Sequence, residues 1–267
     1  MVPQRDEERT RVLLSDLCSL ISQQINVPVV PHRAPSPEAL ANALHSGRAH
    51  VAWTGAILML LSERMSDMVP LVSAVRAGAA FYHSVLFATH DSPVRSLASA
   101  KGKRIAWVSQ SSASGYVVPR LALARAGIPV KSHFSEEIFA GSHANVTRAA
   151  VRGEVDLAAT YAIFEDGDPN KPMVRSGMST FDPELRVRVL DVSGPIPADL
   201  IVASPKLPAD IRFAVGNAFM RIAGDNASKE IMSDLIGADA FARFTPAILR
   251  VMKTLVNAAR DASAVGR

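Results

Sequence analysis

The sequence contains little of what several functional classes require. Its one cysteine excludes an intrachain disulfide and any multi-cysteine metal site. Aromatic residues make up only 6% of the chain, and the longest basic cluster is Lys101, Lys103 and Arg104. No nucleic-acid partner is therefore expected, because such binding needs a basic surface and often stacking aromatics. No run approaches the roughly 18 apolar residues that cross a bilayer, so no membrane-spanning segment is predicted.

The rest of the composition is that of an ordinary globular protein. Hydrophobic residues are 48% and charged residues 20% of 267, which predicts one large domain or two small lobes. Cys18 lies among Leu14, Leu17 and Ile21, so a buried core thiol is expected. Residues 1–8 contain no apolar signal core. This predicts either a cytoplasmic protein or a numbering that begins after, or misses, an export leader.

Hydrophobic periodicity and capping signals predict helices alternating with strands. Leucines at helical spacing indicate a helix over residues 7–24, with Asp6 as its N-cap. Ser36 and Pro37 indicate the start of a second helix. Residues 165–181 are expected to be loop-rich. Strands are predicted over residues 27–30, 50–54, 71–75, 83–89, 104–108, 155–161, 186–190 and 200–203, and further helices over 96–101, 114–126, 143–152, 209–223 and two shorter C-terminal segments. The alternation predicts α/β layering with mostly parallel sheets.

One pattern occurs twice along the chain. Residues 43–54 and 149–160 both read as a helix, a glycine stop and a strand that ends in threonine. The offset between Gly47 and Gly153 is 153 − 47 = 106 residues. The repeat indicates two similar α/β lobes, with Thr54 and Thr160 at strand ends where open α/β sheets bind ligands. Chance similarity of common α/β patterns is the alternative.

Two turns contain the residue types that bind anions. Ser112, Ser114 and Gly115 follow a predicted strand and precede a helix, where free backbone N–H groups and hydroxyls can hold an oxyanion without a lysine. Ser142 and His143 open another helix, and the histidine could donate to the same kind of ligand. Simple helix capping by each serine is the alternative in both places.

Motifs of catalysis and metal binding are missing from the sequence. There is no nucleophile elbow, no His-Glu-x-x-His, no Walker loop and no dinucleotide-binding glycine pattern. The histidines show no metal-ligand spacing. We therefore expect a protein that is not an enzyme and that holds no metal and no cofactor.

Several short motifs occur in the order known from one family, and they cover about residues 2–205. The serine-rich turn combined with Gly141-Ser142-His143 is the most specific of them. The matching stretches are Val2-Pro3-Gln4, Val51-Ala52-Trp53-Thr54-Gly55, Tyr82-His83-Ser84-Val85, Leu97-Ala98-Ser99-Ala100-Lys101-Gly102-Lys103-Arg104, Ser112-Ala113-Ser114-Gly115-Tyr116, Ala140-Gly141-Ser142-His143 and Gly153-Glu154-Val155-Asp156. In these motifs the chain resembles the substrate-binding proteins of phosphonate/phosphite ABC transporters, which have the type 2 periplasmic-binding fold.

The resemblance implies an α/β protein of two lobes that closes on a ligand in the cleft between them. One lobe would comprise residues 1–87 and 203–267, and the other residues 88–202. The function implied is capture of a small phosphonate, phosphite or phosphate-like oxyanion for an ABC permease, in the periplasm and without catalysis. The chain would then begin near the end of the family's first strand, with a leader and part of that strand missing.

The resemblance also implies roles for particular residues. Tyr82 and Ser84 would contribute from the first lobe, and His143 would donate from the second. Ser112 and Ser114, with backbone N–H groups of the turn, would hold the phosphoryl oxygens, and Tyr161 would line the cleft. The implied ligand-binding residues are Trp53, Thr54, Tyr82, Ser84, Ser112, Ala113, Ser114, Gly115, Tyr116, His143 and Tyr161.

The chain departs from the family pattern at two positions. Ala113 replaces a threonine that is usual in the serine-rich turn, which removes one hydroxyl donor. Ala162 stands where aminophosphonate binders commonly have an aspartate, so an inorganic oxyanion or a simple alkylphosphonate is expected to bind at least as well as an aminoalkyl phosphonate.

Two other functions use the same fold. A cytoplasmic sensing module, read by a partner other than a permease, would agree with the missing signal core. A biosynthetic enzyme would need a nucleophile or a cofactor lysine in the cleft. That enzyme is the weaker alternative, because Cys18 lies on a core-facing stripe and Lys101 and Lys103 precede a strand.

Overall fold

The computed structural model describes residues 7–61, 65–225, 228 and 231–265. Their contacts divide the chain into two compact units. Unit 1 comprises residues 1–76 and 197–252, and unit 2 comprises residues 77–196 and 253–267. Asp6 and Val2-Pro3-Gln4, used above as a helix cap and a family motif, lie outside the described residues. Within the described ranges, no helix is both long enough and apolar enough to traverse a bilayer.

The described regular elements follow one another along the chain in this order. The first half contains α1 (Glu7–Ile25), α2 (Pro37–Ser46), β1 (Val51–Thr54), α3 (Ala56–Leu61), β2 (Val69–Val75), β3 (Phe81–Thr89), a 3-10 turn (Ala98–Ala100), β4 (Arg104–Trp107), a π-helical turn (Ala113–Val117), α4 (Val118–Arg125) and α5 (Val130–His133). The second half contains β5 (Glu136–Phe139), α6 (His143–Val151), β6 (Leu157–Phe164), a 3-10 turn (Glu165–Gly167), β7 (Met173–Ser176), α7 (Gly177–Phe181), β8 (Val187–Pro197), β9 (Leu200–Ala203), α8 (Ala209–Gly224), a π-helical turn (Met232–Ile236), β10 (Ala240–Arg243) and α9 (Pro246–Val265).

Unit 1 is a four-stranded sheet in the order β1-β9-β2-β10. Its core includes α1, as the leucine spacing predicts: Leu13, Leu17 and Ile21 pack with residues of β2 and α8. Cys18 is buried on the same helix, which confirms the expected core thiol. The cap predicted for α2 is also confirmed, since Ser36 Oγ accepts the N–H of Ala39 at 3.1 Å.

Unit 2 is a six-stranded sheet in the order β5-β4-β6-β3-β8, with β7 paired to β6. Side chains on one face of the sheet pack against α6 in a cluster that includes Val85, Ala158 and Val146. The other face packs against the α4–α5 segment, with Trp107 and Leu123 fully buried. Because side chains alternate along a strand, neighbouring residues of β3 and β6 serve opposite faces.

The predicted parallel sheets are largely wrong. In unit 1 the pairs of β9 with β1, of β9 with β2 and of β2 with β10 are all antiparallel. In unit 2 β4 is parallel to β5 and β6, while β6 is antiparallel to β3 and β7. Strand direction depends on the route of the chain between strands, which hydrophobic periodicity does not report.

Three local predictions also differ from the structure. Residues 27–30 form no strand, and Val30 is 81% exposed, because no described strand pairs with them. The stretch expected to be loop-rich contains β7 and α7, and Ser176 and Ser179 form a capping box at the start of α7. The last helix, α9, has 20 residues and is not a short segment.

The unit boundaries differ from the lobe boundaries expected from the sequence. The chain enters unit 2 after Arg76, and all nine residues of β3 belong to that unit. The antiparallel pairs of β3 with β6, from His83 opposite Ala162 to Phe87 opposite Ala158, explain this assignment. Strand β8 belongs to unit 2 as far as Ile196, and the chain re-enters unit 1 at Pro197. Tyr82 and Ser84 therefore lie in the same unit as the serine-rich turn.

Candidate functional site

The serine turn (residues 112–116) follows β4 of unit 2 after a short connection over residues 108–111. Ser112 has extended backbone angles and its Oγ accepts the N–H of Gly115 at 3.1 Å. Its carbonyl accepts the N–H of Val117 at 3.0 Å, which closes the π-helical turn. Ser112 therefore caps the turn, as the simple alternative predicted, and its hydroxyl proton is still available to a ligand.

Val108 joins the two loops that the sequence singled out. Its N–H donates to the carbonyl of Gly115 at 3.1 Å, and its carbonyl accepts the N–H of Gly141 at 2.8 Å. A Cβ on Gly115 would lie 2.4 Å from Val108 Cγ2 and 2.8 Å from Ser112 Oγ. Only glycine fits at position 115, because the turn packs directly on the end of β4.

Ser84 and Ser114 are both buried, but their hydroxyls are used differently. Ser84 is fully buried, and its Oγ donates to the backbone carbonyl of Ser114 at 2.7 Å. Ser84 thereby supports the turn from β3. Ser114 is only 3% exposed, yet its Oγ bonds to no other residue that the structure describes. In a nearly buried residue, a hydroxyl without a protein partner is a group that a ligand can satisfy.

Strands β3 and β6 bring three predicted residues to one face of the sheet. Ser84 is the cross-strand partner of Tyr161, and Tyr82 lies two residues before Ser84 on β3. Tyr82 and Tyr161 are both partly exposed. The hydroxyl of Tyr161 lies 2.9 Å from Thr180 Oγ1 of α7.

His143 is the first residue of α6, where Ser142 caps the helix by accepting the N–H of Asn145 at 3.2 Å. The imidazole Nδ1 lies 2.9 Å from Thr160 Oγ1 of β6. The ring meets Tyr161 edge to face, with centroids 4.9 Å apart. Burial lowers the pKa of His143 to about 4, so the ring is neutral near pH 7. Among the described residues, no group bonds its Nε2.

Four of the residues expected to bind ligand have surroundings that differ from those of the groups described above. Trp53 and Thr54 belong to unit 1, where Trp53 packs against the core and Thr54 ends β1. Tyr116 packs on Trp107 and Phe139, with the Arg120 guanidinium 4.9 Å from its ring centroid. Ala113 is partly exposed in the serine turn. The structure thus brings together Tyr82, Ser84, Ser112, Ser114, Gly115, His143 and Tyr161 within unit 2.

Ala162 does not lie where the resemblance implied a ligand contact. It is fully buried in the hydrophobic cluster on the α6 face of the sheet. Its cross-strand partner is His83, whose Nδ1 has no hydrogen-bond partner among the described residues. A carboxylate at position 162 would lie inside this core opposite His83, so the alanine is no evidence about amine binding.

The sequence reasoning missed two residues that support His143. Thr160 was noted only as a strand-end threonine, whereas it lies within β6 with its hydroxyl on the imidazole. Gly177, at the start of α7, has no room for a side chain, since a Cβ there would lie 2.0 Å from Thr160 Oγ1. The 106-residue repeat drew attention to Thr160, but no local signal marked Gly177.

The chemistry of the assembled groups is that of a neutral donor site. Ser112 and Ser114 supply hydroxyls, His143 supplies an uncharged ring nitrogen, and Tyr161 supplies an aromatic wall. Hydrogen bonds to an anion from such neutral donors are stronger than bonds between neutral partners. The arrangement is suited to holding the oxygens of a small oxyanion.

The lowered pKa of His143 predicts a pH-dependent stability. The unfolded chain takes up a proton near the ordinary value of 6.5, whereas the folded ring resists protonation until about pH 4. Stability is therefore present above about pH 6.5 and is lost as the pH falls toward about 4. We expect His143→Gln to remove at most about 3 kcal/mol of this loss, at about 1.36 kcal/mol per pKa unit.

Urea unfolding of the native protein and the variant across this pH range measures the effect. His90→Gln, at an exposed position, is the matched control and should unfold like the native protein. Burial also lowers the pKa of His83, partly opposed by the charge of Asp168, so some acid sensitivity remains in every variant. Equal acid sensitivity of native protein and His143→Gln would contradict a neutral His143 with a lowered pKa.

Comparisons with known proteins identify the family of the chain. A family model described as ABC transporter, phosphonate, periplasmic substrate-binding protein matches residues 1–248. A Xanthomonas citri protein solved with ATP shares 19% identity at a TM-score of 0.75, with 95% of this chain and 94% of that chain covered. A binding protein component of an ABC phosphonate transporter from Pseudomonas aeruginosa shares 19% identity at a TM-score of 0.74, covering 100% and 87%.

A third solved structure is PhnD1 from Prochlorococcus marinus in complex with methylphosphonate. It shares 16% identity at a TM-score of 0.71, with 98% of this chain and 96% of that chain covered. At these identities the likenesses establish a common fold, and they confirm the predicted α/β periplasmic-binding-protein class. The family-model match shows that the chain belongs to the periplasmic substrate-binding proteins of phosphonate ABC transporters.

Proposed function

We propose that the protein binds a small phosphonate, phosphite or phosphate-like oxyanion through the serine turn and His143, and delivers it to an ABC permease. The observation that carries the proposal is a pair of polar atoms that have no hydrogen-bond partner within the described part of the chain. Ser114 Oγ and His143 Nε2 have no partner among the described residues. Ser114 lies in the serine turn and His143 begins α6 two residues after Gly141, and Val108 bonds to both Gly115 and Gly141. Each group can satisfy one oxygen of a tetrahedral anion.

The ligands named for two proteins of similar fold agree with this chemistry. One is methylphosphonate and the other is ATP, and both contain tetrahedral phosphorus with anionic oxygens. Calorimetric titration with methylphosphonate, phosphite, phosphate, ATP and methanesulfonate tests the ligand class directly. Binding of at least one phosphorus oxyanion is expected. Binding of methanesulfonate alone, or of none of the five, would contradict the proposal.

The two serines of the turn should respond differently to alanine substitution. Ser114→Ala removes a hydroxyl that bonds to no described residue, so it should weaken methylphosphonate binding and leave stability unchanged. Losing a hydrogen bond to a charged group costs about 1.5–3 kcal/mol, which is roughly ten- to a hundredfold in affinity. Ser112→Ala should weaken binding similarly and also lose about 1 kcal/mol of stability, because it removes the cap of the turn.

Ser36→Ala is the matched control for the lost cap. Ser36 caps α2 in unit 1, so its substitution should lower stability and leave affinity unchanged. Titration and urea unfolding of the three variants separate the two effects. Unchanged affinity in both Ser112→Ala and Ser114→Ala would remove the serine turn from the binding site.

The same geometry favours binding without turnover. A serine nucleophile needs an adjacent base, but Ser114 Oγ bonds to no base among the described residues, and Ser112 Oγ bonds to the N–H of Gly115. We therefore expect methylphosphonate to be recovered unchanged after prolonged incubation with the protein. Release of phosphate that depends on Ser114 would instead indicate an enzyme.

The family description makes the periplasm the expected compartment and a permease the expected partner. Fractionation of cells that express the native gene tests the first expectation, and uptake of methylphosphonate after deletion of the gene tests the second. Retention in the cytoplasm together with unchanged uptake would favour the sensing module. Participation of Trp53 and Thr54 of unit 1 in binding stays a prediction, which alanine substitution of each can test by the same titration.

A further inference from the structure

Thr160 is a buried hydroxyl whose surroundings limit how it can bond. The residue is fully buried within β6. Its Oγ1 lies 2.9 Å from His143 Nδ1, and this is the one hydrogen bond that the side chain makes within the described part of the chain. The hydroxyl proton therefore has a single available acceptor, the imidazole Nδ1.

This geometry distinguishes between the two neutral forms of the imidazole. If Nδ1 carried the proton, it would donate to Thr160 Oγ1, and the threonine proton would be left buried without an acceptor. An unsatisfied buried donor costs free energy comparable to a lost hydrogen bond. If Nδ1 is unprotonated, it accepts from the threonine, and the ring proton resides on Nε2. The second form satisfies every group at this contact.

We propose that Thr160 is a positioning residue that holds His143 in the form protonated at Nε2, so that the ring presents a neutral N–H donor to the ligand. The part of this proposal that concerns a ligand rests on the function proposed above. It deepens that function by stating what the ligand must offer at this point. The oxygen facing His143 must accept this N–H, and an unprotonated, anionic oxygen accepts it more strongly than the oxygen of a P–OH group.

The packing around the ring keeps the hydrogen bond in place. Tyr161 meets the ring edge to face on one side, and its own hydroxyl is tied to Thr180. Gly177 lies against both members of the pair, since a Cβ there would be 2.0 Å from Thr160 Oγ1 and 3.1 Å from His143 Cβ. The neighbouring side chains therefore leave His143 little freedom to turn away from Thr160.

Nitrogen NMR of the imidazole rings tests the proposal without any ligand. Long-range proton–nitrogen spectra distinguish an Nε2–H ring from an Nδ1–H ring, and the signals of His143 are identified by their absence in His143→Gln. We expect the native ring to be the Nε2–H form. Thr160→Val, which keeps the shape and removes the hydroxyl, should give a mixture, and Thr160→Ser should restore the native spectrum.

Thr147→Val is the matched structural control. Thr147 is also fully buried, and its hydroxyl donates to the backbone carbonyl of His143 at 3.0 Å, not to the ring. Its loss should leave the spectrum of the imidazole unchanged. A native ring protonated at Nδ1, or a ring whose form is the same in Thr160→Val as in the native protein, would overturn the proposal.

Affinity for methylphosphonate provides the second measurement. We expect Thr160→Val to bind about tenfold more weakly, because part of the population presents an acceptor to an anionic oxygen, and Thr160→Ser to bind like the native protein. Equal affinity of Thr160→Val and native protein would contradict the role of Thr160 in binding. If the native protein binds no phosphorus oxyanion, the proposed function fails, and the spectra still decide the role of Thr160.

Discussion

Gly115→Ala is expected to abolish measurable methylphosphonate binding, a loss of about a hundredfold or more at about 1.4 kcal/mol per factor of ten. A Cβ at this position would lie 2.4 Å from Val108 Cγ2 and 2.6 Å from Val108 Cβ, so either the turn or the end of β4 must shift. Val108 bonds to both Gly115 and Gly141, and a shift there displaces the serine turn and the loop before His143 together. Calorimetric titration measures the loss of binding.

Two further variants keep this test specific. Gly216→Ala is the control, because the nearest atom to a Cβ in α8 is 3.7 Å away and alanine should stabilise a helix interior by about 0.5–1 kcal/mol. The double variant Gly115→Ala with Val108→Gly removes both of the closest contacts, Cγ2 and Cβ of Val108, and should recover part of the affinity. Native affinity in Gly115→Ala would show that the turn does not hold the ligand.

Gly177→Ala is expected to lower both stability and affinity, for a different reason. The added Cβ would lie 2.0 Å from Thr160 Oγ1, so the hydroxyl must leave its position beside His143 Nδ1. Overpacking of a buried site typically costs about 1–3 kcal/mol. We expect a loss of stability in that range, and an affinity for methylphosphonate that falls about tenfold, as in Thr160→Val.

A second substitution should separate the two losses. In Gly177→Ala with Thr160→Ala, the Oγ1 that causes the closest contact is gone, so urea unfolding should show stability recovered relative to Gly177→Ala alone. Affinity should stay low, because His143 still lacks its hydroxyl partner. Recovery of affinity together with stability would mean that Thr160 only fills space.

Local patterns predicted much of the secondary structure because their causes lie within a few residues. The leucine spacing of α1 and the caps at Ser36, Ser112 and Ser142 are all satisfied inside one or two turns of chain. The serine turn and the helix start at His143 were identified as anion-binding candidates for the same reason. The family motifs then placed these elements in one fold class, which the comparisons confirm.

Strand directions and unit boundaries were not predictable in this way. Periodicity identifies a strand by its alternating burial, but burial is the same whether a neighbour runs parallel or antiparallel. The antiparallel pairing of β3 with β6 brought Tyr82 and Ser84 into unit 2 and reversed the expected assignment to the first lobe. Ala162 was misplaced for a related reason, since its burial depends on which face of β6 packs against α6.

The residue types of the candidate site and the turns that present them follow from local sequence, because capping, helix starts and tight turns depend on neighbours in the chain. The tertiary structure alone decided which hydroxyls remain free. The hydroxyl of Ser84 donates to the carbonyl of Ser114, 30 residues away, whereas the hydroxyl of Ser114 bonds to no described residue. Thr160 meets His143 across 17 residues. A hydrogen bond between distant residues depends on packed strands and helices that bring the two atoms within 3 Å, and no local pattern specifies that distance.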